Sequence, residues 1–214
     1  MPSAHAVDRE FRVMRALADT AVPVPPMLHY CADESVIGTA FFVMRYVAGR
    51  VIADPVLPGF STADRGAIFR SMITTLAALH SVDVEAVGLS DYGRPGDYFA
   101  RQIRRWAGQY KESVLDAIPS MDRLIEWLPA NIPADETTSI AHGDFRLGNV
   151  ILHPTRPKVV AVLDWELSTL GHPLADLGYF CMGYHTSPDL YGFGDANTDE
   201  LVIPAEAEVV AAYC

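Results

Sequence analysis

The sequence predicts an α+β fold, and three observations carry this. Apolar residues recur at helical spacing in segments such as 62–80. Short β-rich runs come in pairs separated by turn residues, at 27–47 and 150–164. Half of the 214 residues are hydrophobic and a fifth are charged, a globular composition. A chain of this length buries a sizeable core in one domain or at most two. The net charge of -11, from 27 acids against 16 bases, argues against non-specific binding to nucleic acid or to an anionic membrane. No run of 18 apolar residues suggests a transmembrane helix, and the opening MPSAHAVDRE has no apolar signal core. Cys31, Cys181 and Cys214 are widely spaced and form neither a disulfide framework nor a zinc pattern, so a reduced, cytoplasmic protein is expected.

Each element has a local reason. Residues 6–18 place Val7, Phe11, Met14, Leu17 and Ala18 on one helical face. Pro23, Pro25 and Pro26 then break the chain. Residues 27–32 and 39–47 read as a hairpin around the polar turn ADESVIG. Ser61 or Thr62 caps a helix to about His80, with Ile68, Met72, Leu76 and Leu79 facing the core. Helices over about 96–115 and 120–128 follow, then a Pro-containing linker at 129–139. After the apolar pair Ile140 and Ala141 come HGDFRLGNV and a second hairpin, 150–153 with 159–164, turned by PTRPK. Residues 173–185 read as helix, 186–200 as a Gly- and Asp-rich loop, and a last helix begins near 204.

Chemistry concentrates in 140–166. Asp144 and Asn149 stand five residues apart in a loop, and Asp164 ends the second strand of the hairpin that follows. A carboxylate and an amide are hard oxygen ligands suited to Mg²⁺. A second carboxylate remains to accept a proton. That is the equipment of phosphoryl transfer. Glu10 falls inside the apolar arc of the first helix, which spans roughly 120° at about 100° per residue, and an acid facing inward calls for a cationic partner. Between Arg94 and Lys111 there are five bases and one acid, a local reversal of sign that would suit an anionic ligand at Arg101, Arg104 and Arg105. A solvated helix face is the plainer reading of the same residues.

HGDFRLGNVILH, followed by VVAVLDWE, resembles the catalytic segment of the aminoglycoside phosphotransferase and choline kinase-like family, whose fold is similar to that of protein kinases. FFVMRYVAG resembles the kinase hinge, LAALHSVD a long central helix, and HPLADLGYF the helix after the metal-binding aspartate. The opening PSAHAVDREFRVMRAL is most similar to a subgroup associated with acyl-CoA dehydrogenases. The resemblance implies a two-lobe fold, with residues 1–48 in a partial N-lobe and 49–214 in a mainly helical C-lobe. It makes Asp144 the catalytic base and Asn149 and Asp164 the Mg²⁺ ligands. ATP would lie against Met44, Arg45, Tyr46 and Val47, with Glu10 on the phosphate side. His142 and Asp176 would support the catalytic loop, with Glu166 near the metal. His172 and Asp176, four apart, are expected to pair on one helical face.

The resemblance also implies a glycine-rich loop and a strand lysine ahead of the first helix. Before that helix stands only MPSAH, and the only two lysines, Lys111 and Lys158, lie far downstream. Arg9 and Arg12 are expected on its outer face. The final helix stops early by the same comparison, so the expectation is a chain truncated at both ends, with a weakened N-lobe. The function implied is ATP-dependent transfer to a hydroxyl of a small molecule, not an aminoglycoside but an anionic or acyl-CoA-related acceptor. The alternative is a catalytically impaired, nucleotide-binding scaffold. A hydrolase is disfavoured, since neither G-x-S-x-G nor H-E-x-x-H occurs.

Overall fold

A computed structural model of the chain describes residues 7–190, 192–194, 201 and 203–214. Helix α1 (Val7–Ala16) packs on a hairpin of β1 (Met27–Cys31) and β2 (Phe41–Met44). Phe11 provides the contact, its ring 5.6 Å from that of Tyr30 and 6.5 Å from that of Phe42. The buried stripe of the helix is Val13, Met14 and then Leu17, while Ala18 is exposed. Glu10 precedes that stripe by one turn and is half-buried. It is not without a partner, and its charge is felt by the Tyr92 phenol. Ala6 and the MPSAH segment lie outside the described residues.

Helix α2 (Thr62–His80) is the central beam. Ser61 caps it, its hydroxyl accepting the Asp64 N–H. Ile68, Met72, Leu76 and Leu79 are all buried, together with Phe69 and Ile73 on the flanks of the same face. Helices α3 (Tyr98–Ser113) and α4 (Pro119–Trp127) lead to strand β3 (Ser139–Ala141). The hairpin of β4 (Val150–Leu152) and β5 (Val159–Val162) forms as the two β-rich runs predict. Strand β6 (Thr169–Gly171) returns antiparallel to β3, and helices α5 (Pro173–Cys181) and α6 (Glu206–Tyr213) close the structure. Against α2 pack β3, β5, α5 and α6, so one apolar beam backs the strand that leads into Asp144 and the helix beneath its loop.

Several expectations change. The second strand ends at Met44 rather than 47: the Arg45 N–H still reaches the Pro26 carbonyl at 2.8 Å, but Pro26 and Pro25 have no N–H to carry the ladder further. The chain then approaches β4. Arg50 exchanges two backbone bonds of 2.8 Å with Leu152, and a Cβ on Gly49 would stand 2.3 Å from the Leu152 oxygen. Arg9 is not on a solvent face. It lies 4.2 Å over the Tyr92 ring and donates to the carbonyls of Tyr92 (2.8 Å) and Ser168 (3.2 Å). Arg12 pairs with Asp91. His172 and Asp176 do not pair: His172 caps α5, and Asp176 bonds to His80. Of the expected 186–200 loop, residues 191 and 195–200 lie outside the described residues.

Candidate active site

The loop between β3 and β4 carries Asp144, and its shape is imposed from both sides. Gly143 is left-handed (φ +87°), and a Cβ there would meet Leu167 at 2.9 Å, so the position requires glycine. Beneath it, Asp176 of α5 is 1 % exposed and accepts the backbone N–H groups of His142 (2.6 Å) and Gly143 (2.9 Å). The Asp176 carboxylate is also held by His80 Nε2 at 3.2 Å, and His80 Nδ1 contacts the Tyr213 hydroxyl at 2.6 Å. The loop is therefore pinned to the ends of α2 and α6.

His142 is fully buried, its ring 4.7 Å from that of Trp165. Its Nδ1 accepts the Asp144 N–H at 3.2 Å, which leaves the ring proton on Nε2 to donate to the Leu163 carbonyl at 2.9 Å. Burial holds its pKa below the ordinary value, so it is a neutral brace between Asp144 and the residue before Asp164.

The Asp144 carboxylate is partly exposed. Oδ2 accepts Asn149 Nδ2 at 2.8 Å and Arg146 Nε at 3.2 Å, while Oδ1 accepts the Tyr179 hydroxyl at 2.6 Å. Asn149 is buried, and its amide also donates to the Asp144 carbonyl at 2.9 Å. The Leu163 N–H donates to the Asn149 carbonyl at 2.8 Å, tying the second loop to the first. Asp164 has φ +64°, a conformation more costly for aspartate than for glycine, and its exposed carboxylate takes no hydrogen bond or ion pair among the described residues.

The residues that could hold a hard cation are Asn149 and Asp164. The Asn149 amide commits its nitrogen and not its oxygen to Asp144, and the Asp164 carboxylate is open. Among the described residues, no cluster of three or more His, Cys, Asp or Glu is arranged to hold a metal.

Two hollows meet at this point. An apolar cavity of about 470 Å³ lies beside Asp144, with Phe69, Met72, Phe180 and Phe193 in its walls. A second cleft, about 630 Å³, is lined by Arg9, Arg94, Arg101 and Arg105 beside Glu166. Arg104 does not line it. Arg104 bonds to the Ala100 carbonyl, and Arg101 directs its guanidinium to the carbonyls of Gly96 and Arg94. Tyr179 lines both hollows. Met44, Arg45 and Tyr46 are exposed at the end of the hairpin and just after it, with Val47 half-buried. Sequence reasoning missed Tyr179 and Arg146, set Arg9 on an outer face, and counted Arg94 in the basic segment without giving it a place at the cleft. The position of Tyr179 one helical turn after Asp176 was the available signal for it.

Residues 2–207 match the profile of the phosphotransferase enzyme family. The chain is 48 % identical over 217 residues to acyl-CoA dehydrogenase family member 10 of Mus musculus, covering all of this chain and 20 % of that protein. It is 54 % identical to a Ralstonia eutropha protein of known structure assigned to the aminoglycoside phosphotransferases, with a TM-score of 0.93, covering 97 % of this chain and 64 % of that one. A streptomycin–ATP ternary complex of an aminoglycoside phosphotransferase shares the fold alone, at 19 % identity and a TM-score of 0.57, over 94 % of this chain and 69 % of that one. The chain thus spans about a fifth of that curated relative and less than two thirds of the Ralstonia chain. None of its described helices is long and apolar enough to cross a membrane.

Proposed function

The chain belongs to the phosphotransferase enzyme family, and from that premise we propose that it moves the γ-phosphoryl group of ATP to a hydroxyl of a small molecule. The observation that carries this is the Asp144 carboxylate, held on a braced loop with its neighbour Asn149 at 2.8 Å and opening on a cavity. Asp144 accepts the proton of the acceptor hydroxyl as that oxygen bonds to phosphorus and the bond to ADP breaks. Asn149 and Asp164 would hold Mg²⁺, which when bound neutralises charge on the phosphates. Glu166 lies close enough in sequence to Asp164 to steady that side. Residues 1–48 form the N-lobe portion and 49–214 the C-lobe portion, with the nucleotide against Met44, Arg45, Tyr46 and Val47 and Glu10 on the phosphate side. The Arg45 N–H is already bonded to Pro26, so adenine recognition falls to the remaining backbone groups of this segment.

The acceptor is not an aminoglycoside in this reading. Among the described residues lining the apolar cavity, Asp144 is the one acid, and Arg146 lies there too. A polycation gains little from such walls. The arginines of the adjoining cleft favour an anionic acceptor. The relatives named as acyl-CoA dehydrogenase family members make an acyl-CoA-related molecule, and a functional link to that dehydrogenase chemistry, the first candidates. The test is phosphorus NMR of the chain with Mg²⁺ and ATP against matched hydroxylated acceptors, anionic and cationic. Transfer to the anionic set is expected. Transfer to aminoglycosides alone would overturn the acceptor assignment. Nucleotide binding without transfer to any acceptor would support the alternative, a nucleotide-binding scaffold.

A further inference from the structure

Three of the four in-plane positions on the Asp144 carboxylate are taken, two on Oδ2 by Asn149 and Arg146 and one on Oδ1 by Tyr179. Tyr179 differs from the other two donors. It presents a hydroxyl, the same group that a phosphoryl acceptor would bring to this carboxylate. It reaches Asp144 from α5, one turn after Asp176, so its backbone is fixed by the helix that pins the catalytic loop. Its side chain is partly exposed, and it stands where the apolar cavity and the arginine cleft meet. Desolvation and the bond to Asp144 push its pKa up to about 12, so at neutral pH it stays a donor.

We propose that Tyr179 is a resident stand-in for the acceptor hydroxyl, shielding Asp144 from water until the acceptor displaces it. This rests on the reading of Asp144 as the catalytic base. An enzyme that activates hydroxyls must avoid activating water, since hydrolysis of ATP consumes the donor without product. A phenol bonded to Oδ1 occupies the place a water would take. Being tethered, it moves aside only when an acceptor fills the junction of the two hollows. Tyr179 is then a specificity-determining residue that couples ATP turnover to acceptor binding.

Water itself is the probe. ATP hydrolysis by the whole chain is measured with Mg²⁺ and no acceptor, in the unaltered protein, Tyr179→Phe, and Tyr179→Phe combined with Asp144→Asn. Phenylalanine keeps the ring and removes only the hydroxyl. Hydrolysis should rise by about tenfold in Tyr179→Phe, the scale of one charge-assisted hydrogen bond. It should fall back in the double variant. Where the unaltered chain binds nucleotide, hydrolysis equal to or below its own in Tyr179→Phe overturns the proposal. A second measurement needs no turnover: the rate at which a water-soluble carbodiimide modifies Asp144, followed by mass spectrometry. Faster modification in Tyr179→Phe supports the shield, and equal rates overturn it. Failure of the phosphotransferase reading is distinguishable, because it shows as no nucleotide binding by the unaltered chain while the difference in modification persists.

Discussion

His142 is held neutral by burial, with both ring nitrogens engaged. Its folded pKa lies below the ordinary value of 6.5. Below that pH the unfolded chain binds a proton there that the folded chain refuses, so the contribution to stability is lost as pH falls from about 6.5 toward the folded pKa. Thermal unfolding midpoints measured from pH 7 to pH 5 should therefore decline, and the slope should flatten in His142→Gln even though that variant starts lower. An unchanged slope would remove His142 as its source. Gly143 carries a different constraint, of shape. Gly143→Ala must place a Cβ against Leu167 at left-handed φ, at a cost of about 1–3 kcal/mol from the backbone alone.

Helix α5 works through two side chains one turn apart. Asp176 faces inward to the loop amides and to His80, and Tyr179 faces outward to Asp144. Asp176→Asn would turn an amide donor toward two backbone donors. Urea unfolding should show a loss of about 3 kcal/mol, the scale of buried partners left unsatisfied. A loss below about 0.5 kcal/mol would mean the loop is held elsewhere. Much of this neighbourhood was legible in the sequence. The β4–β5 hairpin follows from two β-rich runs on either side of a Pro-containing turn, and α2 from its apolar period. The pairing of β3 with β6 was not legible, because two three-residue strands thirty residues apart carry too little pattern to announce a partner. Arg9 was misread for a related reason. A helical wheel marks which residues lie off the apolar stripe but not which part of the chain covers them, and Tyr92 and Ser168 cover Arg9. Tyr179 was not singled out in the sequence, since its partner lies 35 residues away.

Across the whole molecule, charge is distributed against its own average. A chain of net charge -11 gathers four arginines around one cleft that adjoins the apolar cavity. Arg105→Glu should raise the KM for an anionic acceptor about two- to fivefold with kcat little changed, the scale of exposed ion pairs. Arg104→Glu, outside the cleft, serves as the control. Equal effects of the two would assign the result to net charge rather than to the cleft. The account as a whole depends on Asp144. The most direct measurement is single-turnover phosphoryl transfer from labelled ATP by the unaltered chain and by Asp144→Asn, alongside nucleotide affinity in both. The account predicts a rate lower by about 10²–10⁴ in the variant with affinity unchanged, the contribution of a general base. Transfer at the same rate in both would contradict it.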